Sequence, residues 1–145
     1  MKVILDTNVV LDALLSREPF ARSAARIMAA AETRQLQAVL CATTVTTIHY
    51  LTTKWVGKAR ASRAIASLTD IFQLAQVDHD VVAGALRSRI DDFEDAVLHE
   101  AGRLAGADIL VTRDAAGFRK ASLVVLTPEE LLARLKSDDL GLPDR

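Results

Sequence analysis

Met1-Lys2-Val3-Ile4-Leu5-Asp6-Thr7-Asn8 opens the chain, and Val3-Ile4-Leu5 within it is an unbroken run of β-forming apolar residues. A run that is apolar at every position, rather than at every second one, marks a strand covered on both faces, as in a parallel sheet. It stops at Asp6. Over residues 8–15 the apolar positions Val9, Val10, Ala13 and Leu14 return at helical spacing, and Glu18-Pro19 then ends the segment. The opening unit is therefore strand, acidic turn, helix.

The alternation continues along the chain. Residues 21–34 are Ala-rich with Ile27, Met28 and Ala31 on one stripe, which predicts a helix, and residues 38–42 read as a second buried strand. Residues 59–72 repeat Ala61, Ile65, Leu68 and Phe72 at spacings of three and four, a further amphipathic helix. Residues 74–77 suit a third strand, and Asp78 can cap a helix that runs to about Arg89. Residues 43–53 are ambiguous: six threonines favour a strand, whereas Val45, Ile48 and Leu51 fall at helical spacing. Residues 92–105 read as a helix with Phe93, Val97, Ala101 and Leu104 as the buried stripe and Asp92, Asp95, His99 and Arg103 opposite. Gly106 suits its C-cap, and Ile109-Leu110-Val111 begins a buried strand that ends at Thr112-Arg113-Asp114. Residues 123–126 are a fifth strand, and Thr127-Pro128-Glu129-Glu130 is a helix start with a capping hydroxyl, proline in the first turn and acids at the positive end of the dipole. Residues 137–145 are expected to be a loose tail, leaving 1–136 as one domain without repeat or linker.

Composition fits that reading. A chain of 145 residues, 50% apolar but only 4% aromatic, must build its core from Ala, Leu, Val and Ile, which suits helices packed on a short buried sheet. A net charge of −1 excludes a bulk polycation, so any nucleic-acid contact must be local. A single cysteine, Cys41, excludes an intramolecular disulfide framework and reads as buried and inert. The first apolar run is too short for a signal peptide or a membrane span, so a soluble cytoplasmic protein without membrane contact is expected.

A mostly parallel α/β sheet places its site beyond the carboxyl ends of its strands, where Asp6 and Asp114 both stand. Asp92 and Asp95, one turn apart on one helix, bring up to four negative charges into one region, and a bound cation is the simplest way to offset them. All-oxygen ligands select a hard ion, so Mg²⁺ or Mn²⁺ is expected, acting on phosphate by activating water. Each acid has a plainer reading beside this one. Asp92 also suits an N-cap with Asp95 in the first turn, Asp114 a turn, and Asn8 the cap of the first helix. His99, four residues after Asp95, suits a ligand or proton carrier at the edge of the site, or a structurally paired histidine; His49 and His79 read as structural. Lys54, Lys58, Arg60 and Arg63 cluster beside Trp55 and suit either a phosphate-binding patch with one stacking aromatic, joined by Arg113, or a solvated helix face.

Taken in order, Leu5-Asp6-Thr7-Asn8, Asp92-Phe93-Glu94-Asp95-Ala96 and Ile109-Leu110-Val111-Thr112-Arg113-Asp114, followed by Leu126-Thr127-Pro128-Glu129-Glu130, resemble the PIN-domain family, which includes VapC-type ribonuclease toxins. Cys41-Ala42-Thr43-Thr44-Val45-Thr46-Thr47-Ile48 is similar to the segment that opens a helix in that family. The resemblance spans nearly the whole chain. It implies a Rossmann-like, three-layer fold with a short-stranded parallel sheet between helices, a Mg²⁺ or Mn²⁺ site, cleavage of RNA, homodimers, and a small antitoxin encoded alongside. Carried over by motif, Asp6 is the central metal ligand, Asp95 the acid from the late helix and Asp92 a flanking second ligand, while Asn8 and Thr112 orient ligands and water. Two positions depart from the pattern. Thr47 stands where many PIN nucleases carry a glutamate, and in the last motif, commonly Thr-Arg-Asn-x-x-Asp-Phe, Asp114 replaces the asparagine and Gly117 the aspartate before Phe118.

Those departures keep a rival open, a catalytically degenerate PIN domain that binds RNA or protein without cutting. A phosphatase of the haloacid dehalogenase type also opens with an aspartate after its first strand, but carries a second aspartate where Asn8 stands. A dinucleotide-binding domain would need a glycine-rich loop after the first strand, and none follows.

Overall fold

A computed structural model describes residues 1–139. Five strands, β1 (Lys2–Leu5), β2 (Gln37–Cys41), β3 (Gln73–Ala75), β4 (Ile109–Val111) and β5 (Val124–Leu126), pair in parallel in the order β3-β2-β1-β4-β5. Seven helices flank them: α1 (Thr7–Leu14), α2 (Ala21–Glu32), α3 (Ala42–Val56), α4 (Lys58–Ile71), α5 (His79–Arg87), α6 (Phe93–Leu104) and α7 (Pro128–Asp139). This is the expected three-layer α/β architecture.

The unbroken apolar runs are explained by two cores, one on each face. In β1, Val3 and Leu5 pack with Val9, Val10, Ile27, Ile48, Leu68 and Leu131, so α1, α2, α3, α4 and α7 cover that face. Ile4, between them, points to the other side and packs with Val81, Ala85, Val97, Leu98 and Ala101 from α5 and α6. β2 and β4 divide in the same way, Ala38 and Leu40 against Val39 and Cys41, and Ile109 and Val111 against Leu110. Chain order reverses at β1, whose neighbours are β2 on one side and β4 on the other. That switch point opens a crevice at the carboxyl ends of β1 and β4.

The ambiguous threonine segment is helical throughout as α3. The threonine hydroxyls do not need a sheet, because several bond back into the helix: Thr46 Oγ1 donates to the Thr43 carbonyl (2.8 Å) and Thr53 Oγ1 to that of His49 (2.7 Å). Thr44, Ile48 and Thr52 form its buried stripe. At the start of α7, the Thr127 amide donates to Glu130 Oε1 while the Glu130 amide donates to Thr127 Oγ1, a reciprocal cap. α7 runs to Asp139, so residues 137–139 of the expected tail are helical; residues 140–145 of that tail lie outside the described residues.

α6 departs from its expected stripe. Phe93 and Leu104 are about half exposed, whereas every residue from Ala96 to Gly102 is buried. A helix lodged between the sheet and α5 hides most of its circumference, so a single-stripe reading fails for it. Gly102 permits that closeness: a Cβ there would lie 2.7 Å from Ile4 Cγ2 on β1. Among the described residues, no helix is long and apolar enough to cross a membrane.

Candidate active site

Asp6 is the first residue past β1 and the N-cap of α1, a position that fixes its carboxylate from two directions. Its Oδ1 accepts from the Thr7 amide (2.8 Å) and its Oδ2 from Thr112 Oγ1 (2.8 Å). Leu5 and Val111 are partners across the β1–β4 pairing, so the residues that follow them, Asp6 and Thr112, leave the sheet side by side. Thr112 Oγ1 in turn accepts from the Asp114 amide (3.0 Å), which leaves the hydroxyl hydrogen for Asp6. One threonine thus orients the strand-end acid and shapes the loop that carries Asp114.

Asp95 comes from the first turn of α6, where its amide donates to Oδ1 of the N-cap residue Asp92 (2.9 Å). Together with Asp6, Glu94 and Asp114 it lines a cleft of about 230 Å³, whose other walls include Asn8, Thr44, Thr47 and Leu51. Four carboxylates therefore share one recess, and among the described residues no lysine, arginine or histidine lines it. The strain is visible in their protonation. Burial raises the Asp95 carboxyl to about 6, with Asp6, Asp92, Asp114 and Glu94 adding repulsion. Burial also raises Asp6, opposed by the hydrogen bonds from Thr112 and Thr7.

Gly117 lies against the acids. A Cβ built on it would stand 3.3 Å from Asp114 Oδ2 and 3.5 Å from Asp95 Oδ2, so both carboxylates border the space that a side chain at 117 would occupy. The short 3₁₀ turn Ala115–Phe118, not foreseen from sequence, carries Gly117 back under Asp114.

Among the described residues, no three His, Cys, Asp or Glu side chains are grouped tightly enough to hold a metal ion unaided. The donor set nevertheless fits a hard divalent cation. Mg²⁺ sheds its waters reluctantly and is commonly held by one or two carboxylates plus substrate phosphates, which calls for an open acidic recess rather than a closed cage. Repulsion among unpaired acids supplies the reason for a cation to enter.

Asp6, Asp95, Asp114, Asn8 and Thr47 are thus brought to one cleft, with Thr112 directly behind Asp6. Asp92 is occupied as the cap of α6 and acts on the cleft through its charge. Asn8 is not the cap of α1, a role that Asp6 fills; its Oδ1 accepts from Arg17 Nη2 (3.2 Å). His99 is corrected from a site-edge residue to a core residue. It is buried in the middle of α6, one turn beyond Asp95, and its Nε2 accepts from the amides of Ser122 (3.1 Å) and Leu123 (3.2 Å). Burial lowers its pKa, keeping the ring neutral and the acceptor available. Arg113 is also corrected. Its guanidinium donates to Asp12 (Nε to Oδ2 2.9 Å) and lies over the Phe20 ring, so it clamps the β4 loop to α1. Lys54, Lys58, Arg60 and Arg63 are exposed at the end of α3 and on α4, and none lines the cleft.

Two residues escaped the sequence reading. Glu94 contributes a cleft carboxylate; its place next to Asp95 at a helix start was the available signal. Asp12 is a buried acid bridging Arg17 and Arg113, and its one signal in the sequence is a charge among the apolar residues of α1.

No curated protein matches this chain in sequence. Solved structures share its fold: a toxin–antitoxin complex from Klebsiella pneumoniae (22% identity, TM-score 0.67, covering 87% of this chain and 97% of that one), VapBC2 from Rickettsia felis bound to a promoter DNA fragment (13%, 0.66, 88% and 98%), and the sarcin-ricin-loop-cleaving toxin VapC20 from Mycobacterium tuberculosis (17%, 0.61, 74% and 86%). A family model described as PIN domain matches residues 2–116, which hold β1 to β4 and all four cleft acids, and the chain accordingly belongs to the PIN domain family.

Proposed function

We propose that this protein is a metal-dependent endoribonuclease, the toxin of a toxin–antitoxin pair, that hydrolyses RNA in the Asp6–Asp95–Asp114 cleft. The observation that carries the reading is a recess of four carboxylates, lined by no basic residue among the described ones, at the switch point of a parallel sheet. Such a recess repels a phosphodiester unless a cation intervenes. A Mg²⁺ or Mn²⁺ ion held by Asp6 and Asp95 would polarise a phosphoryl oxygen and lower the pKa of water. Thr112 and the Thr7 amide keep the Asp6 carboxylate fixed in one orientation, while Asn8, held by Arg17, offers an amide at the rim. Asp114 restores an acid that the family motif carries at position 117, and the absence of a side chain at Gly117 leaves it room. Thr47 adds a neutral hydroxyl where a further acid stands in many relatives, which suits a site that works with fewer charges.

Solved relatives that are toxin–antitoxin complexes, and one that cleaves the sarcin-ricin loop, support RNA as substrate and an antitoxin as partner; a homodimer as the working form rests on the resemblance to the family alone. End-labelled RNAs incubated with purified protein in Mn²⁺, Mg²⁺ or EDTA test the reading, with an Asp6→Asn, Asp95→Asn double variant prepared in parallel. Metal-dependent cutting that vanishes in the variant is expected. Folded protein that binds RNA without cutting it in either metal would instead favour the degenerate domain.

A further inference from the structure

The acidic cleft does not end at the acids. On α3, Thr44, Thr47 and Leu51 line it at spacings of three and four, and the same stripe continues four residues on to Trp55, about 6 Å further along the helix. α1 runs alongside: Thr7, Asn8 and Leu11 line the cleft, and Leu14 and Leu15 at its end line a second hollow of about 310 Å³ together with Arg17 and Trp55. Two neighbouring helices thus lead from the carboxylates to one exposed indole.

Trp55 is 78% exposed, the most of any large apolar side chain among the described residues, and it borders the hollow rather than standing alone. In contrast to the cleft, the hollow is lined by an arginine, Arg17, and Lys54 adjoins Trp55 in the chain. Lys54 lies over the Tyr50 ring at 4.4 Å, and Lys58, Arg60 and Arg63 are exposed on the next helix. A flat aromatic face beside flexible cations suits a nucleobase stacked on the ring with its phosphates among the lysines and arginines. An apolar protein segment would cover the ring but match none of this positive charge.

We propose that the Trp55 hollow is a subsite for one unpaired base of a single-stranded RNA whose backbone crosses the acidic cleft. The inference rests on the nuclease reading of that cleft and adds a requirement for single-stranded substrate. It separates the two jobs of the surface, since affinity comes from the Trp55 region and chemistry from the acids.

Trp55 is the sole tryptophan, so intrinsic fluorescence reports on this subsite alone. A fluorescein-labelled single-stranded octaribonucleotide of mixed sequence is titrated into the Asp95→Asn protein, with anisotropy recorded for binding and, for the unlabelled strand, tryptophan emission. Quenching that saturates at the same concentration as the anisotropy change is expected, with affinity about tenfold weaker in Asp95→Asn, Trp55→Ala and largely retained in Asp95→Asn, Trp55→Phe. The same sequence as a duplex should leave the emission unchanged. Binding with unaltered emission and an unaltered Kd in the alanine variant overturns the subsite while leaving the nuclease reading intact. So does a Trp55→Ala protein that sediments as monomer where the parent is a dimer, with RNA affinity unchanged, because a second copy would then cover the indole. Absence of both binding and cleavage overturns the two together.

Discussion

Asp95 carries the charge that the fold least accommodates. Its carboxyl titrates near 6 in the folded chain against 3.8 as an unperturbed group. Between those values the folded state holds the proton that the unfolded state has lost, so this residue lowers stability as pH rises through that window, and the penalty persists above it. Asn cannot ionise. In EDTA the melting temperature of Asp95→Asn should therefore exceed that of wild type at pH 7.5, with the gap closing toward pH 4, and saturating Mn²⁺ should reverse the order at pH 7.5. Scanning fluorimetry checks this; a gap of equal size at both pH values contradicts it. Gly117 allows a second test at this scale. Asp114→Asn should weaken Mn²⁺ binding about tenfold, the equivalent of ~1.4 kcal/mol, and adding Gly117→Asp should recover most of the loss. Titration calorimetry decides, and a double variant no better than the single one would mean that the two positions do not share a role. That Asp6 and Asp95 would come to one cleft could be read from the acid at the end of the first strand together with the family motif at the start of α6. That Asp114 and Gly117 share one space could not be read, since it depends on the path of a four-residue turn.

α6 joins the site to the rest of the fold, with Asp95 at its first turn and His99 one turn later in the core. His99 accepts the amides of Ser122 and Leu123, so it anchors the segment that enters β5. His99→Ala leaves the part-buried amides of Ser122 and Leu123 without their acceptor and should cost about 1–3 kcal/mol of stability. Urea unfolding measures that loss, while Mn²⁺ affinity at temperatures where the variant is folded should stay near that of wild type. A variant as stable as the parent, or one that loses metal selectively, would return His99 to the site. Spacing alone put His99 beside Asp95 on a polar stripe, and the error has a definite cause. A helix buried on nearly all sides has no polar stripe, and the pairing partner of His99 lies 23 residues away in sequence. α3 erred toward ambiguity for the opposite reason, because threonine's β preference is outweighed when its hydroxyl bonds to the preceding turn.

For the whole molecule, charge is arranged rather than accumulated. The net charge is −1, yet acids fill the cleft while Lys54, Lys58, Arg60 and Arg63 lie on an exposed surface outside it. The parallel sheet, the two-faced burial of its strands and a site at their carboxyl ends were legible because short all-apolar runs separated by helical periods leave few other architectures, whereas the order β3-β2-β1-β4-β5 was not read from the sequence. Of the cleft wall formed by α3 only Thr47 was legible, through the family motif; Thr44, Leu51 and the Asp12 clamp were not, since they depend on how helices far apart in sequence meet. The account requires above all that the carboxylate recess take up a divalent cation. Mn²⁺ binding to metal-stripped protein, followed by the loss of the free-ion signal in electron paramagnetic resonance at pH 7.5, measures this with wild type and Asp6→Asn, Asp95→Asn side by side. Saturable uptake by the wild type that the double variant lacks is the expected result. Equal uptake by both proteins, or none by either while both are folded, would contradict it.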